Sequence, residues 1–306
     1  MVQGQAFRED TVSINPKGNE LGGVIMFPQG KSKRLPVVLI IQGSGPTDKD
    51  GNSAALIGKN NSLKLLAEAL AEVGIASLRF DKRGVGLSQK AATAEKELVF
   101  DDLVQDAEAW LDFLINDKRF KQIGIAGHSQ GSLIGMRLSQ NKAVSAFASI
   151  AGPSLSIDET IIAQIKSNPF NSASIVKEAK SIFEQLGNGN TVDTVPPYLL
   201  SVFRPSIQPF MMSWMKYDPL VEIEKLNIPT IIINGTTDLQ VTVEDAQRLQ
   251  VAKPEAQLVV VEGMNHVLKN ASINASENTA SYSNPDLPLN RKFVETITSF
   301  FKSNLK

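Results

Sequence analysis

The chain contains no cysteine and only two histidines, His128 and His266. Without cysteine there is no thiol nucleophile, no disulfide scaffold and no thiolate metal site, and the redox compartment stays undetermined. With so few imidazoles a histidine-rich metal centre is excluded too, and any histidine base must be one of these two. A dominant charge is also missing: 31 basic residues stand against 32 acidic ones, with neither a polybasic run nor an acidic block. Nucleic acid and anionic membranes are therefore not expected partners. No apolar run reaches the ~18 residues that a membrane-crossing helix needs. The opening Met1-Val2-Gln3-Gly4-Gln5 lacks the charged head and apolar stretch of a signal peptide. That suits a soluble protein, either cytoplasmic or exported with its leader removed.

What is present is a long alternation of strand-like and helix-like segments. At 306 residues and 42% apolar content, the chain has room for one large α/β domain or two ordinary ones. Strand character is expected at Thr11 to Ile14, Leu21 to Phe27, Leu35 to Ile41, Ile75 to Phe80, the run ending at Gly127, and Ala146 to Ala151. Apolar periodicity predicts helices from Ser62 to Val73 and from Phe100 to Ile115. Strand and helix in alternation call for a parallel sheet with right-handed crossovers. The rhythm breaks between Ser154 and about Pro219, where only helical patterns appear: Ile157 to Ile165, Ala173 to Leu186, and Pro197 to Lys216. It then resumes with a strand at Pro229 to Gly235, a helix at Val243 to Val251, a strand at Gln257 to Val261, a polar loop from Lys269 to Asn284, and a last amphipathic helix from Arg291 to Phe301. The expected architecture is an α/β core formed by residues 1–153 and 220–306, with residues 154–219 as a helical cap over the C-terminal edge of the sheet.

The segment Gly127-His128-Ser129-Gln130-Gly131 is a G-x-S-x-G motif between an apolar strand and a helix bearing Leu133, Ile134 and Leu138. In that setting the motif marks a nucleophile elbow, in which a sharp turn lifts the serine clear of the sheet onto a helix N-terminus. A serine hydroxyl is a weak nucleophile at neutral pH, so it needs a base and a group to orient the base. His266, in Gly263-Met264-Asn265-His266, follows the last strand and so lies at the same rim as Ser129. His128 is the rival, but as the neighbour of Ser129 on a tight turn its side chain points elsewhere, and elbow packing is its expected role. For the carboxylate, Asp238 directly follows a buried strand, with Glu262 second and Asp218 third; Asp245 reads as a helix-cap charge. The order Ser129, Asp238, His266 is that of α/β-hydrolases.

Over essentially its whole length the chain resembles the α/β-hydrolase superfamily. In detail it is similar to bacterial esterases and peptidase-like hydrolases with a Q/H-G-S-G-P-x-D-x-D-G loop (here Gln42 to Gly51) and a D-x-R-G-x-G-x-S loop (Asp81 to Ser88), together with Gly-Met-Asn-His before the final helix. The resemblance implies a mostly parallel central sheet flanked by helices, and an oxyanion hole built from backbone N–H groups. One belongs to Gln130 and the other to Ser44, with Gly43 as the alternative. Gln42 stands where many relatives carry histidine, which changes a side chain and not the backbone donor.

Three other signals are set aside. Asp48, Asp50 and Asn52 imitate the start of a calcium loop, but Ser53 and Lys59 occupy the required Gly and Glu places. Gly84-Val85-Gly86 lacks the third glycine of a dinucleotide loop, and Asp81 and Arg83 are expected to pin neighbouring loops through an ion pair. Phe210 to Met215 can line an acyl pocket or simply pack the cap. The expected function is a cofactor-free, metal-free carboxylesterase acting on short- to medium-chain uncharged acyl esters, since the cap shows no charged anchor. Peptidase or thioesterase action on the same residues is the alternative, and a non-catalytic binding protein is the other.

Overall fold

The computed structural model describes residues 7–30, 34–54, 58–168 and 170–306. The Met1 to Gln5 segment considered above lies outside them. Eight strands form a single sheet in the order β1-β2-β4-β3-β5-β6-β7-β8. They are β1 (Phe7–Ile14), β2 (Leu21–Pro28), β3 (Leu35–Ile41), β4 (Ala76–Phe80), β5 (Phe120–His128), β6 (Val144–Ile150), β7 (Thr230–Gly235) and β8 (Gln257–Val261). Pairing is antiparallel for β1/β2 and β2/β4 and parallel from β4 through to β8. The short turn through Pro16 to Gly18 is what permits the antiparallel first pair, whereas every parallel pair requires a crossover.

β3 shows how one apolar run feeds two cores. Val37, Leu39 and Ile41 belong to one buried cluster, and Val38 and Ile40 to the other, because successive side chains leave opposite faces of a strand. The first face is covered by α2 (Phe100–Asn116), α3 (Gln130–Leu138) and α9 (Val243–Ala252), and the second by α1 (Ser62–Glu72) and α11 (Arg291–Asn304). Trp110 on α2 is fully buried and stacks at 5.9 Å on Phe80 of β4, locking helix to sheet.

Between β6 and β7 run α4 (Ile157–Ser167), α5 (Ala173–Gly187), α6 (Leu200–Phe203), α7 (Gln208–Trp214) and α8 (Pro219–Glu224). The first four share an apolar cluster of their own around Phe183, Phe203 and Met211, while Ile223 on α8 packs into the sheet's core. The helical pattern expected over Pro197 to Lys216 is realised as separate short helices. Arg204 is extended at ψ 141°, because a residue preceding proline (here Pro205) is driven out of the helical region. Two helices have no counterpart in the apolar pattern. α8 starts on Pro219 with the Asp218 carboxylate accepting from Leu220 N at 2.8 Å, so the turn aspartate is a helix cap. Part of the expected polar loop is α10 (Ala275–Ala280), capped by Asn274, whose side chain accepts from Ser276 and Glu277 N.

Candidate active site

The elbow is built from backbone contacts that exclude side chains. A Cβ on Gly127 would lie 2.3 Å from Gly131 O, and one on Gly131 would lie 2.3 Å from Ile41 O, so strand, turn and helix meet main chain to main chain. Ser129 at the apex takes φ 54° and ψ −123°, a region costly for any residue with a side chain. It is held there by Ser129 N donating to Ile150 O (2.9 Å), and α3 begins at the next residue. The half-buried hydroxyl therefore faces a cleft of about 590 Å³ with a helix N-terminus behind it.

The sequence places Asp238 and His266 in separate loops after β7 and β8, and the structure brings them into contact. His266 Nδ1 lies 2.8 Å from Asp238 Oδ2 in a buried site. The other carboxylate oxygen accepts from Gln240 N (2.8 Å) and Val241 N (3.0 Å), which fixes the plane of the carboxylate. Burial pushes the acid dissociation of Asp238 upward, but the adjacent His266 and these N–H donors outweigh it, so the pKa settles below the usual aspartate value. In the neutral tautomer that donates Nδ1–H to this carboxylate, the lone pair lies on His266 Nε2. Glu262 and Asp245 do not share this contact; Asp245 caps α9 through Thr242 and also holds Ser154.

His128 is buried and packs at the elbow. Its Nε2 lies 2.8 Å from His266 O and, facing a carbonyl, is the donor. Burial, reinforced by the neighbouring His266, depresses its pKa to about 3. It is thus a brace under the His266 backbone, a role visible only once the two loops are folded together. Among the described residues the Ser129 hydroxyl makes no hydrogen bond, to His266 or to any other group. Such contacts are commonly long in a substrate-free site and tighten on binding.

A second brace is the close approach of β7 to the histidine loop. A Cβ on Gly235 would fall 1.9 Å from Met264 O, and Thr237 N donates to that same oxygen at 3.2 Å. Gly235→Ala is expected to force the Asp238 and His266 loops apart, with a loss of about 1–3 kcal/mol in denaturant unfolding and a disproportionate fall in the rate at which a fluorophosphonate labels Ser129.

Ser44 and Gln130, the residues expected to supply backbone donors, line the cleft together with Ser129. The Gln42 to Gly51 loop passes directly over the elbow, since a Cβ on Gly43 would be 3.2 Å from Ser129 Cβ. Gln42 itself is buried and donates to Phe80 O at 2.9 Å. Asp48 turns inward to accept from Asp50 and Asn52 N, an internal tie for the loop. Asp81 and Arg83 do not pair with each other. Arg83 forms a bidentate pair with Asp106 of α2 at 2.8 and 2.7 Å, while Asp81 accepts from Lys49 N and Leu87 N and so joins the two loops through backbone donors.

The far wall of the cleft comes from residues 154–219. Ile157 and Ile161 of α4 and Met211 and Trp214 of α7 contribute apolar surface. Trp214 also stacks on Phe100 with ring centroids 5.2 Å apart, so the Phe210 to Met215 cluster both packs and lines. One charged wall residue escaped the sequence reading: Arg248, on α9 of the sheet-bearing part of the chain. Among the described residues no helix is long and apolar enough to cross a membrane.

An eight-stranded sheet in this order, with a strained serine elbow and an Asp–His pair at its C-terminal rim, defines an α/β-hydrolase. The family model described as serine aminopeptidase, S33, matches residues 58–271, and the chain belongs to that family of serine hydrolases. It is 27% identical over 273 residues to esterase EstD of Thermotoga maritima, covering 87% of this chain and spanning 61% of that relative's length. Among solved structures, Est1E from Butyrivibrio proteoclasticus with bound ferulic acid superposes with a TM-score of 0.65 at 18% identity, covering 96% of this chain and 98% of that one. An esterase of Pyrococcus furiosus gives a TM-score of 0.60 at 19% identity, covering 99% and 93%. These two likenesses concern the fold.

Proposed function

We propose that the protein is a carboxylesterase acting by acyl transfer on short- to medium-chain acyl esters. Ser129 attacks the ester carbonyl, His266 Nε2 takes its proton and returns it to the leaving alcohol, and Asp238 holds the imidazole in that tautomer. The tetrahedral oxygen is received by the N–H groups of Gln130 and Ser44. Water, activated by the same histidine, then releases the acid. Residues 154–219 act as the cap that encloses the acyl chain. The observation that carries this reading is the buried Asp238–His266 contact of 2.8 Å beside a serine held at positive φ on the floor of a cleft. The name of the Thermotoga maritima relative supports ester cleavage.

The family's aminopeptidase description invites a second reading, which the cleft does not favour. An amino terminus needs a free carboxylate to bind it. Asp158, Glu159 and Glu184, the cap candidates, are not among the residues lining the cleft. Asp245 does line it, but its oxygens are engaged by Ser154 and Thr242, and the nearby cation Arg248 repels an ammonium group. Arg248 equally removes the premise that no charged anchor faces the substrate, so charged acyl esters belong in the test. The purified protein is expected to be labelled by a fluorophosphonate and to hydrolyse p-nitrophenyl esters at least ~100-fold faster than aminoacyl anilides. Faster anilide cleavage would reverse the assignment, preferential thioester cleavage would move it to thioesterase, and no labelling at all would leave a binding protein.

A further inference from the structure

Among the described residues, the Lys82 amine has no carboxylate partner. The residue sits at the x position of the Asp81-x-Arg83 loop after β4 and is only 8% exposed. Its ammonium donates to three neutral oxygens: Gly43 O at 2.6 Å, Gly45 O at 3.2 Å and Gln130 Oε1 at 2.9 Å. The carboxylates nearby are spoken for, Asp106 by Arg83 and Asp81 by two backbone N–H groups. Burial pulls the lysine down to about 7. A fold that only needed those carbonyls capped has cheaper donors than a desolvated ammonium.

The three acceptors share one property. Gly43 and Gly45 flank Ser44, and Gln130 follows Ser129, so all three belong to the two segments proposed to supply the oxyanion donors. We infer that Lys82 is the positioning residue of the oxyanion hole, tying the Ser44 loop to the start of α3 and polarising the donor on that loop. The polarisation is direct. Gly43 C=O and Ser44 N–H are the two ends of one planar, conjugated peptide unit, so a cation bound to that oxygen draws charge from that nitrogen and strengthens its N–H as a donor. The tie matters because hydrogen-bond stabilisation of the developing oxyanion depends on both N–H groups being preset, with no reorganisation left for the reaction step.

The inference rests on the ester-hydrolysis reading, and its test separates the two. Lys82→Met keeps the aliphatic stem and removes the ammonium. With a p-nitrophenyl ester it is expected to lower kcat by about 10- to 100-fold while KM stays within about threefold, and to weaken a trifluoromethyl ketone transition-state analogue in proportion to kcat/KM. A purely structural lysine would leave kcat within about threefold in protein that folds, or would raise KM as much as it lowers kcat; either result overturns the inference while active wild-type enzyme leaves the esterase reading intact. If Lys82→Met does not fold, Gln130→Met decides. It retains the backbone N–H and loses one of the acceptors, and a fall in kcat of about three- to tenfold at unchanged KM supports the tie, whereas an unchanged kcat sinks it. Wild-type protein that neither turns over esters nor is labelled by a fluorophosphonate removes the esterase reading and the oxyanion role of Lys82 with it.

Discussion

Ser129→Ala is expected to lower ester turnover by up to about a millionfold, with fluorophosphonate labelling lost altogether. The size follows from what the hydroxyl supplies. Once it is gone, attack must come from water, and only binding and oxyanion donation remain to help it. The same substitution should cost little stability. Ser129 sits at φ 54° with its hydroxyl making no hydrogen bond among the described residues, and alanine meets the same backbone strain at that φ. Unfolding free energy is therefore expected to stay within about 1 kcal/mol of wild type. Turnover by the alanine variant at the wild-type rate would remove Ser129 from the reaction.

Asp238→Asn is expected to lower kcat by about 10⁴-fold with little change in KM. The reason lies in the carboxylate's second oxygen. Oδ1 is fixed by the N–H groups of Gln240 and Val241, so an asparagine must offer its carbonyl oxygen to those donors and turn its amide nitrogen toward His266. Nδ1 then becomes the acceptor and the proton moves to Nε2, the nitrogen that has to receive the serine proton. Stability shifts as well, and its sign is determined. The aspartate pKa is depressed in the folded state, so the ionised group contributes stability above the ordinary aspartate range, and that contribution is lost as pH falls through the depressed value. The asparagine variant lacks this contribution. Urea unfolding at neutral pH and at about pH 3 should show a smaller acid-induced loss in the variant than in wild type. An unchanged kcat would remove the carboxylate from the proposed machinery.

Much of the scaffold was legible because its elements are strongly patterned. β3 and β8 occupy the residues expected of them, Leu35 to Ile41 and Gln257 to Val261, since a short apolar run bounded by turn residues leaves little room for another boundary. α2 was equally readable from Leu103, Ala107, Trp110 and Leu114 on one face. What escaped is short and local in cause. α10 is a six-residue helix of Ala-Ser-Glu-Asn-Thr-Ala whose apolar positions carry no period, and only its Asn274 cap marked it. α8 was signalled by Asp218-Pro219, read as a turn because the two chemistries coincide at a helix start. The helical pattern over Pro197 to Lys216 is divided at Arg204, where the proline at 205 excludes the helical region.

By itself the sequence determined the chemistry on offer: one serine between two glycines at a strand–helix junction, one histidine beyond the last strand, and one aspartate after the strand before it. These are local statements, since which residues can occupy a strained turn or follow a buried strand depends on neighbours a few positions away. Only the tertiary structure decided which groups touch. That Asp238 meets His266, that His128 braces it from below, that Arg83 pairs with Asp106 and not Asp81, and that Lys82 reaches three oxygens on two other segments all depend on contacts across tens of residues. Such pairings are settled by the register and packing of the whole sheet, and no pattern within a single stretch of chain records them.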